Sequence, residues 1–133
     1  MKGVALVAGL FAVAAGAWAF LAPQSFFDRI GTFPPYNRHF IHDVGAFQVG
    51  LGVALLVSLR WSDGLLVALS GFAAGATVHF AAHVIDRNRG GHPVTDLLGL
   101  GILAAAALAA AAARFATART SGAATHRPPP APE

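Results

Sequence analysis

Four apolar runs, each about long enough to cross a bilayer, constrain this chain more than any motif in it. They cover about residues 3–22, 40–59, 65–86 and 94–113, and polar segments containing proline, glycine or arginine separate them. A transmembrane helix needs roughly 20 consecutive, mainly apolar residues. The pattern therefore predicts an all-α integral membrane protein whose four spans form an up-and-down helical bundle.

Composition supports this class and excludes others. Hydrophobic residues make up 56% of the 133 residues and charged residues only 11%, which is far from the average soluble domain. The chain has no cysteine, so a disulfide framework and a thiolate metal site are both excluded. The basic residues are scattered over loops and the C-terminal segment without forming a dense stripe, and we expect no nucleic-acid partner.

The first apolar run has two readings. Lys2, the run itself and Ala17-Trp18-Ala19 imitate the three regions of a secretory signal peptide. The run is long for a signal peptide, and further apolar spans follow it. We therefore interpret it as the first transmembrane helix.

An aromatic segment, residues 23–38, connects the first two spans. Its paired prolines, Pro34 and Pro35, argue against one continuous helix, although Gln24–Ile30 suits a short amphipathic helix. Aromatic rings such as those of Phe27 and Phe33 are favoured at the headgroup level. We expect this segment to be an interfacial anchor in preference to a lid over the bundle.

The chain divides into a transmembrane domain, residues 1–115, and a tail rich in Ala, Thr and Pro, residues 116–133. The composition of the tail predicts disorder. The very short N-terminal segment and the basic tail favour cytoplasmic termini, although the distribution of Lys and Arg over the two ends is nearly even. The lipid bilayer is the surrounding partner in every reading.

Histidines and aspartates gather at one end of the predicted bundle. In an up-and-down arrangement the start of the second span, the end of the third and the start of the fourth lie on the same side of the membrane. An ionisable side chain inside a span costs a few kcal/mol and faces a protein interior or a cavity. The residues concerned are His39, His42 and Asp43, then His79, His83 and Asp86, then His92 and Asp96.

The spacing of these residues predicts a metal site. HxxHD in the second span and HxxxH with Asp three residues later in the third present neighbouring ligands from one helix face. We predict His42, Asp43, His79, His83 and Asp86 as metal ligands, with the first four acting as one unit. Nitrogen and oxygen ligands favour Zn(II), Fe, Mn or Cu(II). No catalytic residue is assigned, and whether the protein is an enzyme stays open.

Other functions use the same residues. A haem b could be ligated axially by His42 with His79 or His83, and the histidines could also handle protons or form interhelical hydrogen bonds. The alternative to a metal or redox protein is a non-catalytic accessory subunit of a larger membrane complex. A small transporter is disfavoured because the sequence has no visible inverted repeat.

Small residues predict where helices approach one another. Gly71 and Gly75 form a GxxxG pair, and Ala46 with Gly50 makes a second small-xxx-small step. We expect Gly45, Gly71 and Gly75 to bring the second and third spans together. The same faces could instead contact a second copy of the chain or a larger complex.

One resemblance covers about residues 3–115. The segment FPPYNRHFIHDVGAFQVGLGVALL, followed by VHFAAHVID, resembles small Gly/Ala-rich four-span membrane proteins of high-GC, actinobacterial-type bacteria, broadly of the DoxX-like kind. The resemblance implies a four-helix bundle in a bacterial cytoplasmic membrane. It supplies no catalytic residue, so the predicted site stands on the residues alone.

Overall fold

The computed structural model of the protein describes residues 1–125. Within this range the chain forms five α-helices joined by turns and loops, and it forms no β-strand. All helices except the second are long and apolar enough to cross a membrane. The all-α bundle predicted from the four apolar runs is therefore confirmed, and so is the short helix expected after the first span. The helices are α1 Lys2–Leu21, α2 Pro23–Arg29, α3 Arg38–Ser58, α4 Ser62–Ile85 and α5 Pro93–Thr125.

Local sequence sets where the helices begin. Pro23 and Pro93 are the first residues of α2 and α5, a position where the missing N–H of proline has no partner to lose. Asn37 precedes α3, and its side-chain oxygen accepts a hydrogen bond from the N–H of Phe40 at 3.1 Å. Such a cap supplies an acceptor to one of the unpaired donors of the first turn.

Helix α5 continues further than the sequence analysis predicts. Its described part runs through residues 116–125, which were expected to belong to the disordered tail. Alanine, the strongest helix former, is frequent across this boundary, which explains why the helix does not stop after residue 115. The remaining part of the predicted tail, residues 126–133, lies outside the described residues.

Two pairs of glycines bring α1 and α3 into backbone contact. A Cβ atom added to Gly16 would lie 2.6 Å from the carbonyl oxygen of Gly45, and one added to Gly52 would lie 2.7 Å from that of Gly9. Gly9 and Gly16 are seven residues apart on α1, as are Gly45 and Gly52 on α3. Only hydrogen fits at these positions, so α1 and α3 form one tightly packed helix pair.

The predicted contact of the second and third spans through glycine is therefore wrong. Gly45 packs against α1, while a Cβ added to Gly71 or Gly75 on α4 would meet no atom within 4 Å. Helix α4 instead packs mainly against α5, where the ring of Phe80 lies against Gly101. The bundle thus consists of two close pairs, α1 with α3 and α4 with α5.

The apolar core lies in the half of the bundle nearest the chain termini. Leu55 of α3 and Leu69 of α4 are fully buried there, together with alanines from α1 and α5. Ser58 is also buried and donates its hydroxyl hydrogen bond to the carbonyl oxygen of Leu55 at 2.7 Å. The core fills this half, and a space between the two helix pairs lies in the other half, which contains His79 and His83.

Candidate functional site

A cavity of about 930 Å³ lies in the half of the bundle that contains His79 and His83, which we call the histidine half. All five helices contribute to its wall, and so does the loop that follows α2. Phe72 and Ala76 belong both to the core and to this wall, so the core forms the floor of the cavity. Its volume lies within the range of small-molecule sites, roughly 300–1,000 Å³.

Eight phenylalanine and tryptophan side chains contribute to the wall of the cavity. Such rings provide large apolar area with little conformational entropy to lose on binding. The aromatic lining residues are Phe11 and Trp18 of α1, Phe26 and Phe27 of α2, Phe33 of the following loop, Phe40 and Phe47 of α3, and Phe72 of α4.

Two histidines from α4 stand at the polar end of the cavity. His79 and His83 both line it, and their rings meet edge to face with centroids 4.9 Å apart. They are four residues apart, so they lie on successive turns of the same helix face. Nδ1 of His83 lies 3.6 Å from Oδ2 of Asp96, which α5 carries in its first turn.

The carboxylate of Asp96 contacts two residues, His92 and His83. Its Oδ2 atom accepts a hydrogen bond from the backbone N–H of His92 at 2.8 Å, and it also faces His83. A carboxylate in the first turn of a helix is further stabilised by the helix dipole. The side chains of His83 and Asp96 are only 18% and 19% exposed. Asp96 therefore lies beside the Nδ1 edge of the His83 ring, to which it approaches from a neighbouring helix.

The loop after α2 closes the polar end of the cavity. The ring of Phe33 packs edge to face against His83, with centroids 5.3 Å apart, and the carbonyl oxygen of Thr32 accepts the N–H of Gly91 at 3.0 Å. Gly91 has a φ of +74°, and a Cβ there would lie 2.7 Å from Oδ2 of Asp96. The aromatic segment predicted as an interfacial anchor thus lines the cavity and covers it.

Asp86, the third predicted ligand from α4, lies at the edge of the cavity. It lines the wall, but its carboxylate is 45% exposed and pairs with Nε of Arg89 at 3.2 Å. Exposed ion pairs of this kind contribute little to stability. Asp86 is near the histidine pair in the fold without being part of its contacts with Asp96.

His42 and Asp43 lie elsewhere. The ring of His42 stacks on Phe20 of α1, with centroids 4.9 Å apart, and its buried Nε2 atom has no hydrogen-bond partner. Asp43 faces outward and pairs with the exposed His39 at 3.6 Å. Neither His42 nor Asp43 lines the cavity.

The structure thus divides the predicted metal ligands into two groups. His79, His83 and Asp86 line the cavity, whereas His42 and Asp43 lie outside it, with His42 packed near the C-terminal end of α1. Within residues 1–125, no three histidine or carboxylate side chains converge closely enough to hold a metal ion. The metal site stays a prediction.

Sequence reasoning missed two residues of the site. Asp96 was visible in the HxxxD spacing with His92, but it was not included among the ligands. Its contact with His83 depends on how closely α4 and α5 pack. Phe33 was predicted to be part of an interfacial anchor, and its contact with His83 could not be foreseen because it depends on the hydrogen bond between Thr32 and Gly91.

Comparisons with known proteins give no relative from which a function could be transferred. No protein-family model matches the chain, and no curated protein or solved structure matches it. The DoxX-like resemblance stays a prediction. The function has to be argued from the cavity and its polar end.

Proposed function

We propose that this protein binds an amphipathic molecule dissolved in the bilayer, with the apolar part in the cavity and an uncharged headgroup hydrogen-bonded to His79 and His83. One observation carries the proposal: an aromatic-lined cavity of about 930 Å³ ends at a pair of adjacent imidazoles. Ligand sites combine a mainly apolar wall with a few polar groups that fix orientation. Neutral imidazole offers both a donor and an acceptor for that purpose.

The lipid phase is the source of the ligand because the cavity reaches the outer surface of the bundle. Phe11 and Phe47 line the cavity, yet they are 61% and 74% exposed. Both occupy the middle of membrane-length helices, α1 and α3. At that depth the surroundings of a membrane protein are hydrocarbon, not water.

The charges around the cavity favour an uncharged headgroup. Among the described residues that line it, none is lysine or arginine, so an anionic headgroup would meet the carboxylates of Asp86 and Asp96 and no basic side chain in the wall. A cationic headgroup would have to compete for carboxylates that already have partners, since Asp86 pairs with Arg89 and Asp96 faces His83. A hydroxyl or carbonyl headgroup meets neither penalty.

Fluorescence of Trp18 provides the test. The chain has two tryptophans, and Trp18 lines the cavity, so the Trp61→Phe variant leaves a single reporter. The full-length variant in detergent micelles is titrated with 9,10-dibromostearyl alcohol, whose bromine atoms quench tryptophan. We expect saturable quenching, weakened about fivefold to tenfold in the His79→Ala, His83→Ala double variant, because a net hydrogen bond contributes about 1 kcal/mol.

The controls separate binding from partition into the micelle. His39→Ala removes a histidine that is 88% exposed and outside the cavity, and it should leave the titration unchanged. The dibromostearate anion and the corresponding trimethylammonium cation carry the same tail and should bind more weakly than the alcohol. Quenching that never saturates would refute ligand binding, and tighter binding of either ion would refute the uncharged headgroup.

A metal ion is the second candidate, and a specific observation favours it. His79 and His83 face each other on successive turns, and Asp96 adds a carboxylate 3.6 Å from His83. Two imidazoles and a carboxylate suit Zn(II), Fe, Mn or Cu(II), but these three side chains do not converge in the structure, so binding would require them to change rotamer. Metal analysis of the purified protein tests whether His79 and His83 bind a metal ion. Equal metal content in the wild type and in the His79→Ala, His83→Ala double variant would exclude this site, and a Soret band would indicate haem instead.

We also propose that the termini lie in the cytoplasm of a bacterial cell and that the histidine end faces outward. The end of the chain termini has five basic residues in the sequence, Lys2, Arg60, Arg114, Arg119 and Arg127, against four at the histidine end, Arg29, Arg38, Arg87 and Arg89. Basic residues near the ends of spans are retained on the cytoplasmic side. The cavity would then open toward the outer half of the bilayer.

A further inference from the structure

We infer that the ligand enters the cavity sideways from the bilayer, between α3 and α4, through a window at Gly75. This inference rests on the proposed function, since a window has a role only if the cavity takes up a molecule from the lipid. It assigns to Gly75 a role in access that is separate from the headgroup contacts of His79 and His83.

The wall of the cavity on α3 shows which side is open. Phe40, Phe47 and Leu51 line the cavity while being 62%, 74% and 41% exposed. At about 100° per residue, they lie on a face turned away from the glycines that pack against α1. The exposed part of the wall on α3 is therefore the part that faces α4.

Helix α4 contributes the other side of the boundary between α3 and α4. Gly75 and Ala82 line the cavity and are exposed. Helical geometry places them on the face opposite Phe80, whose ring packs toward Gly101 of α5. Helix α3 is the other main neighbour of α4, so Gly75 and Ala82 lie on the side of the cavity wall to which α3 contributes Phe47 and Leu51.

Gly75 leaves this boundary without a side chain to fill it. A Cβ added there would meet nothing within 4 Å. Among the described lining residues of the membrane-length helices, Gly75 is the only one without a side chain, since even the small residues that α1 contributes are alanines. Gly75 is consequently the position in the wall where a passing molecule meets no side chain of α4.

The depth of the window restricts what can pass. Gly75 lies about 15 Å along the helix axis from Ile85, the last residue of α4, at a rise of about 1.5 Å per residue. This depth is near the middle of the hydrocarbon, where a charged group is expensive. A single flexible tail with a compact, uncharged headgroup satisfies the restriction, and the headgroup then reaches His79 one helical turn beyond Gly75.

Stopped-flow quenching of Trp18 by 9,10-dibromostearyl alcohol tests the window in the Trp61→Phe background. The Gly75→Phe variant should slow association and dissociation together, each by about tenfold, because a steric barrier on the path raises the free energy of passage by about 1.4 kcal/mol. Gly75→Ala should retain the rates of the parent, since a methyl group has free space there.

Gly71→Phe is the matched control. Gly71 lies one turn away on α4, a Cβ there also meets nothing within 4 Å, and it does not line the cavity, so its variant should bind at the rates of the parent. Unchanged rates in Gly75→Phe, or weaker affinity with an unchanged association rate, would overturn the window. Absence of saturable quenching in the parent would overturn the ligand site itself, and the window with it.

Discussion

Gly16 and Gly45 meet backbone to backbone. A Cβ on Gly16 would lie 2.6 Å from the carbonyl oxygen of Gly45, and a Cβ on Gly45 would lie 2.8 Å from the carbonyl oxygen of Gly16. Since each glycine faces the other's backbone, neither neighbour can move aside as a flexible side chain would. This contact holds α1 against α3 and leaves the space for the cavity between that pair and α4 with α5.

Replacing Gly16 by valine should destabilise the bundle. The added carbon would meet backbone atoms of Gly45 and Val49, and overpacking of this kind typically costs about 1–3 kcal/mol. Thermal unfolding in detergent micelles, followed by circular dichroism, measures the effect. Gly50→Val on α3 is the control, because a Cβ there meets nothing within 4 Å. Equal midpoints for the two variants would contradict the contact.

The sequence predicted the spans well but not the pairing of their glycines. Length and apolar composition decide whether a segment can cross a bilayer, so four spans could be identified without tertiary information. A small-residue spacing, by contrast, is the same whether its partner is a neighbouring helix, a second chain or lipid. Gly71 and Gly75 have the better-known GxxxG spacing, yet Gly9 and Gly16 make the contact.

Gly91→Ala should destabilise the cover of the cavity. Gly91 has a φ of +74°, where an alanine is strained, and the new methyl group would approach Oδ2 of Asp96 and the ring of Phe33. We expect a loss of about 1 kcal/mol or more in the free energy of unfolding. Gly64→Ala, whose Cβ would make only ordinary contacts, should change stability less. A larger loss in Gly64→Ala would refute the role of Gly91.

Phe33→Ala should expose His83 to aqueous reagents. The ring of Phe33 packs against His83, so its removal opens a path from the loop side to an imidazole that is 18% exposed. Diethylpyrocarbonate modification, followed by mass spectrometry of individual histidines, measures this directly. We expect faster modification of His83 and an unchanged rate at His39, which is already 88% exposed. No acceleration at His83 would show that Phe33 does not cover it.

The candidate site was only partly predictable from the sequence, because contacts between different helices depend on how the helices pack. His79 and His83 could be placed on one face because they share a helix, and helical spacing is fixed by the backbone. The partner of His83 could not be identified in this way. Asp96 reaches it through the packing of α5, and the turn at Gly91 is part of that arrangement. His42 was predicted to join them, but it packs against Phe20 instead.

Asp96 should act both as a cap and as a support for His83. Asp96→Ala removes the acceptor of the His92 N–H and the partner of His83, and a lost cap typically costs about 1 kcal/mol. Asp96→Asn retains a side-chain oxygen for the N–H, so it should preserve most of the stability while losing the negative charge beside His83. Unfolding midpoints compare the two. Equal losses would mean that charge, not the hydrogen bond, is the stabilising element.

Cysteine labelling should place the two ends of the bundle on opposite sides of the membrane. The chain has no cysteine of its own, so Asn88→Cys, in the loop between α4 and α5, and Thr120→Cys, near the end of α5, each provide one thiol on an exposed residue. With cytoplasmic termini, a membrane-impermeant maleimide should label Asn88→Cys in intact cells and Thr120→Cys only after permeabilisation. The reverse order would invert the proposed orientation. Labelling of both from outside would contradict an odd number of crossings between them, and with it the assignment of α5 as a span.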